Sequence, residues 1–156
     1  MKDALTVAAY ICKRYEESFG EPIDEMKLQK MMYFAQREAL VRTNKPLFEG
    51  DFRGWKYGPV LKELRTPFQE GTILVSLPQE VDEEFLAVMD AVFAEYAEMP
   101  SFSLTRLTHG EISWKKSRKG IAPAENSDAP MSLEDIRLDA DKIRQRREML
   151  KQRNLL

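Results

Sequence analysis

The side chains able to do chemistry are few. One cysteine, Cys12, and one histidine, His109, stand in 156 residues. The common zinc sites draw on several such ligands and are excluded. A Cys12–His109 dyad exists in arithmetic only, because Cys12 falls on the apolar stripe of a helix and reads as a small core residue. His109 reads either as a hydrogen-bonded structural residue or as part of a binding groove with Trp114. Glu83 and Glu84 are the kind of paired acids a hydrolase uses, but they fall on the solvated face of a helix. Neither GxxxxGKS/T nor GxGxxG occurs; Gly50, Gly54 and Gly58 are spaced by four and flanked by rings, which fits no phosphate cradle. The expectation is a protein with no catalytic residue, no metal and no cofactor, which works by recognition.

The elements that position these residues are organised by one stretch, Asp24 to Pro59. Leu28, Met31, Met32, Ala35 and Ala39 recur at helical spacing, and Met26, Tyr33 and Leu40 draw a second apolar line nearly opposite. A helix apolar on two sides is sandwiched by other elements. The spacing predicts a central helix over 25–42, capped by Asp24 and stopped by Asn44-Lys45-Pro46. Phe48, Phe52, Trp55 and Tyr57 then crowd among three glycines in a structured loop. Either these rings plug the core, or one or two of them, Trp55 and Tyr57 first, rim a binding surface.

Before this stretch, Ala4, Ala8, Ile11, Cys12, Tyr15 and Phe19 predict a helix from Asp3 to Ser18, ended by Gly20. After it, Pro59 suits the first position of a helix carrying Val60, Leu61 and Leu64, and Thr66-Pro67 should break or kink it. Thr72 to Leu77 is rich in β-branched residues and reads as a strand or hairpin half, with the loop near Phe52 as its partner. A helix from Asp82 to Glu98 follows, then a short one capped by Ser101 or Ser103. Residues 120–131 have two prolines and no aromatic, and read as a mobile loop. Ser132 and Asp135 resemble a capping box for a last helix, whose stripe of Leu133, Ile136, Ala140, Ile143 and Leu150 either docks on the core or pairs with a second copy as a homodimer. The fold class is mainly α: a compact single-domain bundle of about six helices around the helix at 25–42, with at most a minor β element near 72–77.

Net charge is −2, but its distribution is lopsided. Thr66 to Thr105 hold eight acids and no lysine or arginine, whereas Lys142 to Arg153 hold six bases and one acid, and Lys115, Lys116, Arg118 and Lys119 form a second basic cluster. Either these are solvated faces, or the acidic middle steers a basic protein. The basic segments could contact nucleic acid, as in a phage or prophage regulator; a pI near 5.6 and the acidic patch oppose it. The N-terminus reads as an amphipathic helix and not a signal peptide, and no apolar run matches a membrane span, so the expected location is the cytoplasm.

One series of motifs is specific in order and spacing: KLQKMMYFAQ at Lys27 to Gln36, PLF at Pro46 to Phe48, WKYGPV at Trp55 to Val60, and LTH at Leu107 to His109 with Trp114 downstream. It resembles the Panacea domain of SocA-like antitoxins, also met as phage-associated proteins. The resemblance covers roughly Leu5 to Trp114 and implies a compact, mainly helical domain, here 1–119; the 120–131 loop and a C-terminal helix, 132–156, packing on the same domain, are read from the residues alone. It implies binding and neutralising of a protein toxin encoded nearby, with delivery to an AAA+ protease in some members, and neither cofactor nor catalysis. The residues expected to meet a partner are Lys30, Tyr33, Trp55, Tyr57, Gly58, Pro59, His109 and Trp114.

Overall fold

The computed structural model describes residues 1–153. Among them are seven α-helices and two small β pairs. The chain runs β1 (Lys2–Asp3), α1 (Ala4–Phe19), α2 (Glu25–Thr43), β2 (Phe48–Glu49), β3 (Arg53–Trp55), β4 (Gly58–Val60), α3 (Arg65–Gln69), α4 (Glu83–Tyr96), α5 (Ser101–His109), α6 (Ile112–Ser117) and α7 (Leu133–Gln152). The mainly α, single-domain architecture is the expected one.

Helix α2 is the hub. The Asp24 carboxylate accepts the Lys27 N–H at 2.7 Å and starts it; Asn44, in the left-handed region at φ 59°, ends it. Its flanks pack on α1, α4, α5 and α7. Both apolar lines are buried, apart from Met26 near its exposed first turn. Phe34 stacks on Tyr96 of α4, ring centroids 3.9 Å apart. Two glutamines seven residues apart do what a neighbouring strand would do. Gln36 donates to the Phe48 carbonyl and accepts from Leu47 N–H; Gln29 donates to the Leu61 carbonyl and accepts the Leu61 N–H. A buried backbone needs such partners, and these amides pin both ends of the aromatic loop to the helix.

Four local expectations are corrected. The 72–77 stretch is no strand: Ile73–Ser76 is a 3-10 turn that buries Ile73 and leaves Leu74 and Val75 exposed. β-Branched residues favour strands only where a partner edge exists. The loop near Phe52 pairs elsewhere, β3 with β4 antiparallel and β2 parallel to β1. Pro59 starts no helix but sits in β4 opposite Gly54, and the buried Leu61 and Leu64 follow through a 3-10 turn, Lys62–Leu64. Pro67 breaks nothing, because it falls in the first turn of α3, where an N–H has no intrahelical partner to lose. Nor does a serine cap α5: Pro100 precedes it, and Ser101 Oγ donates to the Asp24 carboxylate.

Helix α7 docks its stripe on α2, burying Ile136, Asp139 and Ala140. The 120–131 stretch lies along the hairpin. Gly54 N–H donates to the Ala129 carbonyl and Met131 N–H to that of Phe52, and Arg118 holds the carbonyls of Ala122 and Glu125.

Candidate recognition cleft

The β3–β4 hairpin brings most of the expected residues together. It turns at Lys56-Tyr57 and is wedged between α2, α5 and α6. The Trp114 indole N–H donates to the Trp55 carbonyl at 2.8 Å, and Arg118 donates to that of Gly54 at 2.9 Å. Trp114 stacks on His109, centroids 4.1 Å apart and 17° from parallel. His109 Nε2 is buried without a hydrogen-bond partner among the described residues. Burial pulls the imidazole below its ordinary pKa, against a backbone hydrogen bond with Lys56 and helped by the nearby Lys30 and Arg118 cations. It is therefore neutral at neutral pH.

The glycines are packing devices. A Cβ on Gly54 would lie 2.0 Å from Ser117 Oγ on α6. Gly58, at φ 115°, would set one 2.5 Å from Lys30 Cε and 2.7 Å from Thr108 Oγ1. Gly54→Ala must turn the Ser117 hydroxyl off the Trp114 carbonyl and crowd its Cβ, 3.0 Å away, with an expected loss of about 1–3 kcal/mol in chemical denaturation, the cost of overpacking. Ser117→Gly in the same chain should restore about half of it; no restoration would locate the strain elsewhere.

On the outer side the hairpin and the start of α2 enclose a cleft of about 300 Å³, lined by Met26, Lys30, Trp55, Lys56, Tyr57, Val60 and Arg65 among others. Tyr57 is 57 % exposed at its mouth. The Trp55 indole N–H is tied to the Asp128 carboxylate at 2.9 Å, and Arg65 lies over its ring. Asp128 also receives Lys62, and these two donors hold its carboxyl below the usual range. Lys30 forms the floor at 2 % exposure. Among the described residues its ammonium makes no hydrogen bond and has no carboxylate within 4.0 Å.

Trp55, Tyr57, Gly58, Pro59 and Lys30 thus cluster, with His109 and Trp114 behind the hairpin. Gly58 and Pro59 are buried and shape the turn without facing out. Tyr33 is elsewhere and fully buried, so it offers nothing to a surface. Its hydroxyl lies 2.6 Å from Glu111 Oε2 and 2.7 Å from Asp139 Oδ2. Arg37 bonds Glu111 at 3.0 Å and the Tyr96 hydroxyl at 2.6 Å; Asp139 also accepts from Ser113 and the Ile112 N–H. Burial raises the Asp139 carboxyl above the ordinary range, against the hydrogen bonds from Ser113 and Tyr33. This network was not read from the sequence. Its signal was there: an Asp inside the apolar stripe of α7 and a phenol inside that of α2 each require a partner. Cys12 is a core thiol, pushed up to about 12 by burial and then by Glu16, and nucleophilic work is closed to it. Among the described residues no group of three His, Cys, Asp or Glu could hold a metal ion, and no helix is long and apolar enough to cross a membrane.

Residues 28–115, which build most of the hub helix, the hairpin and most of the cleft, match the family model described as Antitoxin SocA-like, Panacea domain. The chain belongs to this family. A 39-residue stretch is 49 % identical to the Antitoxin SocA of Caulobacter vibrioides (strain NA1000 / CB15N); it covers 25 % of this chain and 21 % of that protein. No solved structure is significantly similar to the chain. The Panacea match takes in the cleft's helix and hairpin walls and the Trp114–His109 stack, but stops short of α7, which supplies Asp139 to the buried network.

Proposed function

We propose that this chain is an antitoxin that neutralises a protein toxin by direct contact, with the Tyr57 cleft at the centre of the contact surface. What carries the reading is that the family match spans most of the residues enclosing this cleft, Gln29 to Arg65. Aromatic residues and Met are enriched at interface centres, and Tyr57, Trp55 and Met26 stand there with Phe102, 70 % exposed, on α5 nearby. Helix α4 adds an exposed acidic face, Glu83, Glu84, Asp90 and Glu95, suited to steering a basic partner.

A nucleic-acid role draws less support, because part of the expected phosphate-binding set is engaged. Arg118 is buried on carbonyls, Lys116 pairs with Asp135, Arg144 with Asp141 and Arg147 with Glu38, while Lys115 and Lys119 stand exposed.

Co-expression with the product of the adjacent reading frame tests the proposal. The expected result is rescue of growth and co-purification. A neighbour that is harmless alone and does not co-purify would remove the reading. Tyr57→Ala, at an exposed position, should leave the fold intact and weaken the complex by about tenfold or more. If the complex also hands the toxin to an AAA+ protease, co-expression shortens the toxin's half-life; blocking alone leaves it unchanged.

A further inference from the structure

The floor of the cleft poses a separate problem. A lysine taken out of water is stabilised by a carboxylate or by hydrogen-bond acceptors, and Lys30 has neither among the described residues. Its stem lies against the Gly58 backbone, and only 2 % of the residue stays open to solvent. The neighbouring polar groups are committed. Gln29 is spent on Leu61, Glu25 pairs with Arg65, and Asp24 caps α2 and receives Ser101. Asp24 and Glu25 favour the charge from a distance, while Lys56 and Arg65 add positive charge at the walls and the nearby His109 is neutral. The remaining walls are Met26, Val60 and the rings of Trp55 and Tyr57, with one polar side chain, Asn126, whose amide oxygen accepts the Lys56 N–H.

We propose that this cleft is a subsite for the C-terminal residue of a polypeptide, the terminal carboxylate accepting from Lys30 Nζ and an apolar side chain filling the space between Met26, Val60 and Trp55. A deep unpaired cation calls for an anion, and a charge-assisted hydrogen bond in a place of low dielectric is strong. A cation beside apolar walls calls for a group bearing a carboxylate and a hydrocarbon side chain on one carbon, which is a chain terminus. The side chain of an internal Asp or Glu has little hydrocarbon to offer these walls. The phosphates of a nucleic acid would leave the same walls unfilled. This deepens the antitoxin reading, on which it rests only for the source of the polypeptide.

The test is NMR of lysine-labelled protein, following the Lys30 side chain across pH with N-acetyl-leucine, N-acetyl-leucinamide and N-acetyl-glutamate α-amide as probes. N-acetyl-leucine should bind at roughly millimolar Kd, as its size allows. It should raise the Lys30 pKa by about one unit or more, because the carboxylate favours the charged form. The leucinamide should do neither, and Lys30→Met should abolish the response of the Trp55 indole and Tyr57 to N-acetyl-leucine. Equal binding of the amide, or an unmoved Lys30, overturns the proposal; tighter binding of the glutamate derivative overturns the assignment to a terminus. Failure here leaves toxin co-purification standing, since the toxin then binds by other contacts. Failure of co-purification with the leucine response intact leaves the subsite standing.

Discussion

Arg37→Ala is expected to destabilise the protein by about 3–5 kcal/mol, the range for removing one partner of a buried ion pair. Arg37 projects from α2 into the space between α4 and α6 and satisfies two elements at once, Glu111 at 3.0 Å and the Tyr96 hydroxyl at 2.6 Å, while lying over the Phe34 ring. Burial opposes its charge, and Tyr96, Glu111 and Tyr33 more than restore it. Alanine would leave Glu111 a carboxylate with the Tyr33 hydroxyl and no cation, and Tyr96 a buried hydroxyl without its partner. Each costs desolvation that folding no longer returns. Glu111→Gln in the Arg37→Ala background removes the stranded charge and should recover more than about 1 kcal/mol, the signature of direct coupling. Urea denaturation of the two single variants and the double supplies the cycle. A single-variant loss under about 1 kcal/mol would mean that the network relaxes or fills with water and does not hold α2 to α6.

Lys30→Met should do the opposite and stabilise the protein at pH 7. Burial, only partly offset by Asp24 and Glu25, pulls the Lys30 pKa from 10.5 down to about 8. A base depressed in the folded state releases its proton more readily there than in the unfolded chain. Its favourable contribution is present above pH 10.5 and is lost as pH falls through 8. At pH 7 the folded chain carries the charge at a cost of about 3 kcal/mol, from the shift at 1.36 kcal/mol per unit. Methionine keeps the stem that packs under Gly58 and drops the charge. The expected gain approaches that figure, and the rise in stability that the wild type shows between pH 8 and 10 should flatten in the variant. A Met variant no more stable at pH 7 than the wild type would mean that the ammonium is already solvated through the cleft mouth. A stabilising loss of a buried residue is a known mark of function held at the expense of the fold.

The boundaries of α2 were legible because they rest on local chemistry, the Asp24 carboxylate at one end and the left-handed Asn44 at the other. The two faces of α2 and the stripe of α7 followed from period alone. Pro59, Pro67 and the Thr72–Leu77 stretch went wrong for one reason: their states depend on which distant segment lies alongside. Pro59 is extended because Gly54 sits opposite it, and Thr72–Leu77 lacks a strand because no edge reaches it. The cleft was half legible. Its rings stood out as rings between glycines, but the solitude of Lys30 depends on where Glu25, Asp24 and Gln29 spend their hydrogen bonds, which is settled only by α3, α5 and the turn at Leu61. Tyr33, expected at a partner surface, is fully buried. Its hydroxyl serves carboxylates from Glu111 and Asp139, more than seventy residues away along the chain.

Because α7 closes over that phenol from the end of the chain, the order in which the molecule comes apart depends on where it is grasped. A motor hauling from the C-terminal side peels α7 first and floods Tyr33, Ser113 and Asp139 with water, then strips the 120–131 stretch, with Asn126 and Asp128, off the hairpin before it reaches the hub. A motor starting from the N-terminal side takes β1 and α1 and reaches the hub next. The cleft therefore loses its outer polar wall first in one case and its helix first in the other.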